Sequence, residues 1–247
     1  LPTGAAMMAT YLKSEDNTLT VRVKGGGPAG TVLAVANGRG EVKGYVENPV
    51  VEIPPRADGH LDVGGAVGCD GTLSVVQDIG MKEPYVGQVP LVSGEIAEDI
   101  TSYYAVSQQT PTVCALGVLV NPDLSIRRAG GYMLQLLPGA TEEEITRLEK
   151  NIAAMPAVTT FLEEERPLTD IMEMVLDGFN PNILDEQEVV YRCDCSKERV
   201  ERALLSMSRG ELQKLADEDP NVEVCCQFCD KVWQLDAHEL LAEKDAQ

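Results

Sequence analysis

In LTVRVK, Leu19, Val21 and Val23 alternate with polar neighbours, the period-two pattern of a strand with one buried face. Glycine punctuation then recurs about every ten residues as far as Pro138, so this half reads as mostly strands. Further strands are predicted at TVLAVA (31–36), GYVENPVVEI (44–53), GTLSVVQDI (71–79), VGQVPLV (86–92), VCALGVLV (113–120) and GGYMLQLL (130–137), with one helix around 98–106. Residues 1–12, LPTGAAMMATYL, read as the tail of a helix that begins before Leu1.

After Pro138 and Gly139 the period changes to that of a helix. Thr141 and Glu144 form a capping box, and Ile145, Leu148, Ile152 and Met155 follow on one face until Pro156. Leu168, Ile171, Met172, Val175 and Leu176 mark a second amphipathic helix closed by Gly178. From Glu188 the chain predicts a short strand in EVVYRCDC, a Ser196-capped helix, a Ser208–Glu211 capping box, two strands in VEVCCQFC and KVWQL, and a polar terminus. The fold class is therefore α+β: a mostly β core at 1–139, an acidic helical linker at 140–187 and a small cysteine-rich unit at 188–247.

Charge narrows the function. The 247 residues carry 20 Lys and Arg against 40 Asp and Glu, a net charge of −20 that repels nucleic acid and anionic lipid. Residues 1–140 hold 9 basic and 14 acidic side chains and residues 141–247 hold 11 and 26, an asymmetry that fits two units. The longest apolar run, Val113 to Val120, falls far short of the roughly 18 residues of a spanning helix. No charged segment followed by an apolar one opens the chain, and five of the seven cysteines crowd into 193–229, so the reading is a reducing compartment, the cytoplasm.

The strongest chemical signal is Cys193-Asp194-Cys195 followed by Cys226-Gln227-Phe228-Cys229. On an extended chain the two sulfurs of a C-x-C face one side, and a C-x-x-C turn wraps a metal, so four thiolates predict one closed structural zinc site per chain. Cys225 is then a spare thiol on the opposite strand face, and Cys69 and Cys114 read as ordinary buried thiols. Gly25, Gly27 and Gly30 match G-x-G-x-x-G, but the following TVLAVA and Asn37-Gly38 predict a glycine turn between strands, not a dinucleotide site. With two histidines and no H-E-x-x-H or G-x-S-x-G, neither catalytic zinc nor a serine triad finds its residues, and no enzyme is predicted.

YRCDCSKERVERAL with VEVCCQFCDKVW, and VKGGGPAG, AVGCDGTLSVVQDIG, GQVPLVSGEIAEDI and GGYMLQLLPG ahead of them, make the chain similar to the bacterial heat shock protein 33 family over nearly its whole length. Cys225 stands where that family usually has another residue. The resemblance implies an ATP-independent holdase chaperone, inactive while reduced and zinc-bound. Oxidation would pair Cys193 with Cys195 and Cys226 with Cys229, release zinc, unfold the last unit and loosen the linker. Its partners would be unfolded or oxidatively damaged proteins, with a homodimer on activation. The linker's apolar faces, Ile145, Leu148, Ile152, Leu168, Ile171 and Val175, would meet those clients. Two other classes are a thiol-disulfide oxidoreductase using Cys226 and Cys229, and a constitutive zinc-ribbon module.

Overall fold

The computed structural model describes residues 1–245. The chain divides into two compact units, Leu1–Tyr191 and Arg192–Gln247. In the first, strands β1 (Thr18–Lys24), β2 (Thr31–Asn37), β3 (Glu41–Val46), β4 (Thr72–Asp78) and β5 (Tyr85–Pro90) form an antiparallel sheet in the order β5-β4-β1-β2-β3. Alternation puts Leu19, Val21, Val23, Ala34, Ala36, Leu73, Val75 and Val89 on one face, where they are buried against helices α1 (Pro2–Ala9) and α3 (Ile96–Val106). Each fully buried large aliphatic side chain contributes about 1.5–3 kcal/mol, so this face anchors the unit. The short helix α2 (Val63–Val67) is capped by the Asp62 carboxylate, which accepts from the Gly65 N–H.

A separate hairpin, β6 (Thr112–Val120) with β7 (Ile126–Gln135), packs on the two helices: α3 touches β6 and α1 touches β7. Asp99, fully buried in the first turn of α3, accepts the Val92 N–H at 2.7 Å and so pins the loop leaving β5. Beyond the hairpin come α4 (Glu142–Ala154), α5 (Val158–Glu163) and α6 (Leu168–Val175). Thr141 and Glu144 close the expected capping box of α4. The helix α5, absent from the sequence reading, buries Val158 and Phe161 and lies on β6 and β7. Six residues are too few to show a helical period, and β-branched Val158, Thr159 and Thr160 mask it.

In the second unit Ser196 caps α7 (Lys197–Leu205) and Ser208 with Glu211 caps α8 (Arg209–Glu218), both as predicted. The hairpin β9 (Asn221–Cys225) and β10 (Val232–Asp236) follows, then α9 (Ala237–Asp245), where a merely polar terminus was expected. Ala237 and Leu240 of α9 are buried with Leu212, Val222 and Leu235 in the small cores of this unit.

Three expectations are corrected. The strand at 44–53 ends at Val46, because Asn48 turns away to bond the Pro28 carbonyl and Pro49, Pro54 and Pro55 lack ladder donors. Cys69 is exposed, because Gly68, at φ 79°, turns the chain outward after α2. The strand expected in EVVYRCDC is only β8 (Val190–Tyr191), and it pairs parallel with β3 as a sixth strand of the core sheet, so the boundary between units falls after Tyr191. The glycine run 25–30 does join two strands. A Cβ on Gly25 would lie 2.0 Å from the Gly68 carbonyl oxygen, so glycine there serves close backbone packing.

Candidate metal centre

The C-x-C segment is irregular chain leading to the Ser196 cap of α7, and the C-x-x-C lies between β9 and β10. The local turn is built by the backbone. The Cys226 N–H donates to the Lys231 carbonyl at 2.9 Å, and the N–H groups of Cys229 and Asp230 donate to the Cys226 carbonyl at 3.3 and 2.8 Å. Asp230 takes a left-handed conformation, φ 57°, that closes the turn. Arg199, one turn into α7, donates to the Asp194 carbonyl at 3.2 Å and pairs with its carboxylate, which fixes the residue between the first two cysteines.

These two pieces bring all four predicted sulfurs together. The Cys193 and Cys226 sulfurs are 3.6 Å apart, those of Cys195 and Cys229 are 3.4 Å apart, and all four lie within 4.8 Å of one another. A tetrahedron with metal–sulfur bonds of about 2.3 Å has edges of about 3.8 Å, so the cluster has the size of a four-thiolate zinc site. Four protein ligands leave no position for substrate or water, which makes the site structural in type.

The sulfurs do not ionise alike. Burial pushes the Cys195 thiol up to about 12, with the neighbouring sulfurs adding to the rise, and burial likewise raises Cys193. At Cys226 burial acts in the same direction but is outweighed by the Phe228 N–H and by donation from the other thiols, so its thiol falls to about 7. Four thiolates side by side repel one another, so holding all four needs a compensating cation, as the donor set suggests.

The other thiols stand apart. Cys225, exposed on β9 opposite Val232, is outside the cluster. Cys114 is buried under α3, where burial pushes its thiol up to about 12. The linker residues proposed to meet clients are spread over two helices of the first unit. Ile171 and Val175 are buried on α6, with β7 residues Gly131 to Leu134 lining the same apolar pocket, whereas Leu168 at the start of α6 is 74% exposed. Ile145, Leu148 and Ile152 are half-buried on α4, which is tied to the end of α6 by Asn151 donating to the carbonyls of Val175 and Asp177. No alternation in the sequence announced the backbone bonds of 187–191 to the core sheet, because a two-residue strand has no period to read.

A β-rich core together with a separate unit that gathers four thiols and leaves no open coordination position defines a protein whose cysteine cluster is suited to holding structure. The model of the Hsp33 protein family matches residues 1–236. A 33 kDa chaperonin of Clostridioides difficile is 48% identical over 239 residues, covering 97% of this chain and 82% of that protein. One from Alkaliphilus oremlandii is 44% identical, covering 96% and 80%. The crystal structure of the heat shock protein 33 homologue of Thermotoga maritima superposes with a TM-score of 0.88 at 37% identity, covering all of this chain and 84% of that one. The chain belongs to the Hsp33 family of chaperones.

Proposed function

We propose that this chain is a redox-regulated, ATP-independent holdase that binds unfolding proteins under oxidative stress, with one zinc per chain held by Cys193, Cys195, Cys226 and Cys229 in the reduced state. The observation that carries the reading is a closed cluster of four sulfurs in a unit whose apolar cores are small. Zinc, when bound, supplies the charge that keeps four thiolates side by side. The same sulfurs, as thiolates, are what a peroxide attacks. Each pair gives up two electrons: two thiols and one hydrogen peroxide become one S–S bond and two waters.

Cys193 with Cys195 and Cys226 with Cys229 are the proposed pairs. Neighbours in sequence stay close when the unit unfolds, so closing them costs the least chain entropy. Without its four thiolates the second unit keeps, among the described residues, only Leu212, Val222, Leu235 and Leu240 as large buried apolar side chains, and it unfolds. The linker helices then loosen, and Ile145, Leu148, Ile152, Leu168, Ile171 and Val175 become available to apolar stretches of a client. A thiol-disulfide oxidoreductase finds less support, because its C-x-x-C opens a helix and this one leads into β10.

The test is aggregation of a chemically unfolded client, followed by light scattering without ATP, before and after peroxide. Suppression is expected only after oxidation. Full suppression by the reduced, zinc-loaded protein would refute regulation by the cluster.

A further inference from the structure

The outer edge of the core sheet carries a segment of the chain's own backbone, laid along β3 immediately before the first cysteine of the cluster. Val190 and Tyr191 pair parallel with Glu41 and Val42, and the Val190 N–H donates to the Gly40 carbonyl at 2.9 Å. Around that core of two residues, the Gln187 side-chain amide donates to the Gly38 carbonyl at 2.8 Å and the Tyr191 hydroxyl donates to the Gly44 carbonyl at 3.0 Å. The approach is close: a Cβ on Gly40 would lie 2.2 Å from the Glu188 carbonyl oxygen. Most of these bonds end on backbone atoms of β3 and its leading turn, at Gly38, Gly40 and Gly44, so the edge is fitted to an extended chain and reads little of its sequence.

The covering strand is weak by construction. It has two residues, pairs in parallel, and ends one residue before Arg192, where the second unit begins. A two-residue ladder does not sustain itself and persists only while the chain on both sides is held. Upstream, Arg147 and Asn151 of α4 hold the carbonyls of Gly178 and Asp177. Downstream, Cys193 stands two residues beyond Tyr191, so the same cluster that folds the second unit anchors this end. Once residues 192 onward become free chain, little keeps β8 in place, and an uncovered edge strand binds whatever extended backbone it meets.

We propose that the outer edge of β3, from Gly40 to Val46, is a client-acceptor site for strand addition, masked by residues 187–191 while the cysteine cluster is intact. The occupant is an extended stretch of an unfolded polypeptide, held by main-chain hydrogen bonds in the place of β8. This deepens the holdase reading and rests on it, adding a backbone-directed site to the apolar surface of the linker helices. It also accounts for broad client choice, since main-chain donors and acceptors are common to every unfolded sequence.

The test uses the full chain in three forms: wild type, Val190→Pro, which removes the donor to Gly40, and the double variant Gln187→Ala with Tyr191→Phe, which changes only side chains that bond the edge. Amide exchange over 41–46, zinc content and client holding are measured on each, reduced and oxidised. Loss of one such hydrogen bond is expected to raise opening of the edge about fivefold. Either variant should then hold client in the reduced state with zinc still bound. In oxidised wild type, added client should restore slow exchange at 41–46. The double variant keeps the test decisive if Val190→Pro disturbs folding. If oxidised wild type holds client but exchange at 41–46 does not slow on binding, the β3 edge is not an acceptor and the holdase reading stands. If oxidised wild type holds no client, the holdase reading falls, and this proposal with it.

Discussion

Removing the metal from the reduced protein should unfold the second unit and leave the first intact. Its large buried apolar side chains are Leu212, Leu235, Leu240 and Val222, between 0% and 7% exposed. At about 1.5–3 kcal/mol each, these four contribute roughly 6–12 kcal/mol in all. A four-thiolate zinc site contributes on the order of 10–16 kcal/mol in small peptides, as much as that whole apolar contribution. Units of this size are marginal even with an ordinary core, so on the proposed function the bound metal would decide whether this one folds. The solitary tryptophan is well placed to report the outcome. Trp233 sits on β10 with the Lys231 ammonium 4.1 Å from its ring centroid, an arrangement that disappears when the hairpin melts. Chelation under reducing conditions should shift Trp233 emission to the red and bring amides of β9 and β10 to the exchange rates of free chain. Amides of β1 and β4 should stay protected. If zinc is gone and both Trp233 emission and hairpin protection are unchanged, the apolar core suffices by itself and oxidation cannot act by unfolding this unit.

Cys225→Ser should leave zinc stoichiometry unchanged and Cys226→Ser should abolish it, as elemental analysis would show; the reverse result would move the ligand register by one residue. In the native protein at pH 8, alkylation should reach exposed Cys69 and Cys225 but not Cys114, because a thiol pushed up to about 12 by burial remains protonated at that pH; mass spectrometry of the labelled peptides reads the difference. Gly25→Ala should destabilise the core unit by about 1–3 kcal/mol, seen as a lower Tm, since its methyl would overlap the Gly68 carbonyl. Val175→Asp places a carboxylate at a position 2% exposed beneath α6 and should undock that helix, leaving β6 and β7 protected from exchange while the reduced protein gains part of the oxidised form's client holding.

Local rules made much of this protein legible from its sequence. The alternation of Leu19, Val21 and Val23 marked β1, the Thr141 and Ser208 capping boxes marked the starts of α4 and α8, and C-x-C with C-x-x-C marked the sulfur cluster. Each of these signals is made of pieces only a few residues long, whose spacing follows from chain geometry. The tertiary structure decided what had no such period. It showed Cys69 outside the core, because Gly68, at positive φ immediately after α2, redirects the chain. It placed α5 on the β6–β7 hairpin through two buried side chains in a segment too short to repeat. It also assigned Val190 and Tyr191 to the core sheet and not to the cysteine unit they adjoin, since their partners lie nearly 150 residues earlier: the Tyr191 hydroxyl and the Gly44 carbonyl are 147 positions apart. A pairing of that separation rests on the packing that brings the two segments together, and neither segment carries a pattern that names the other.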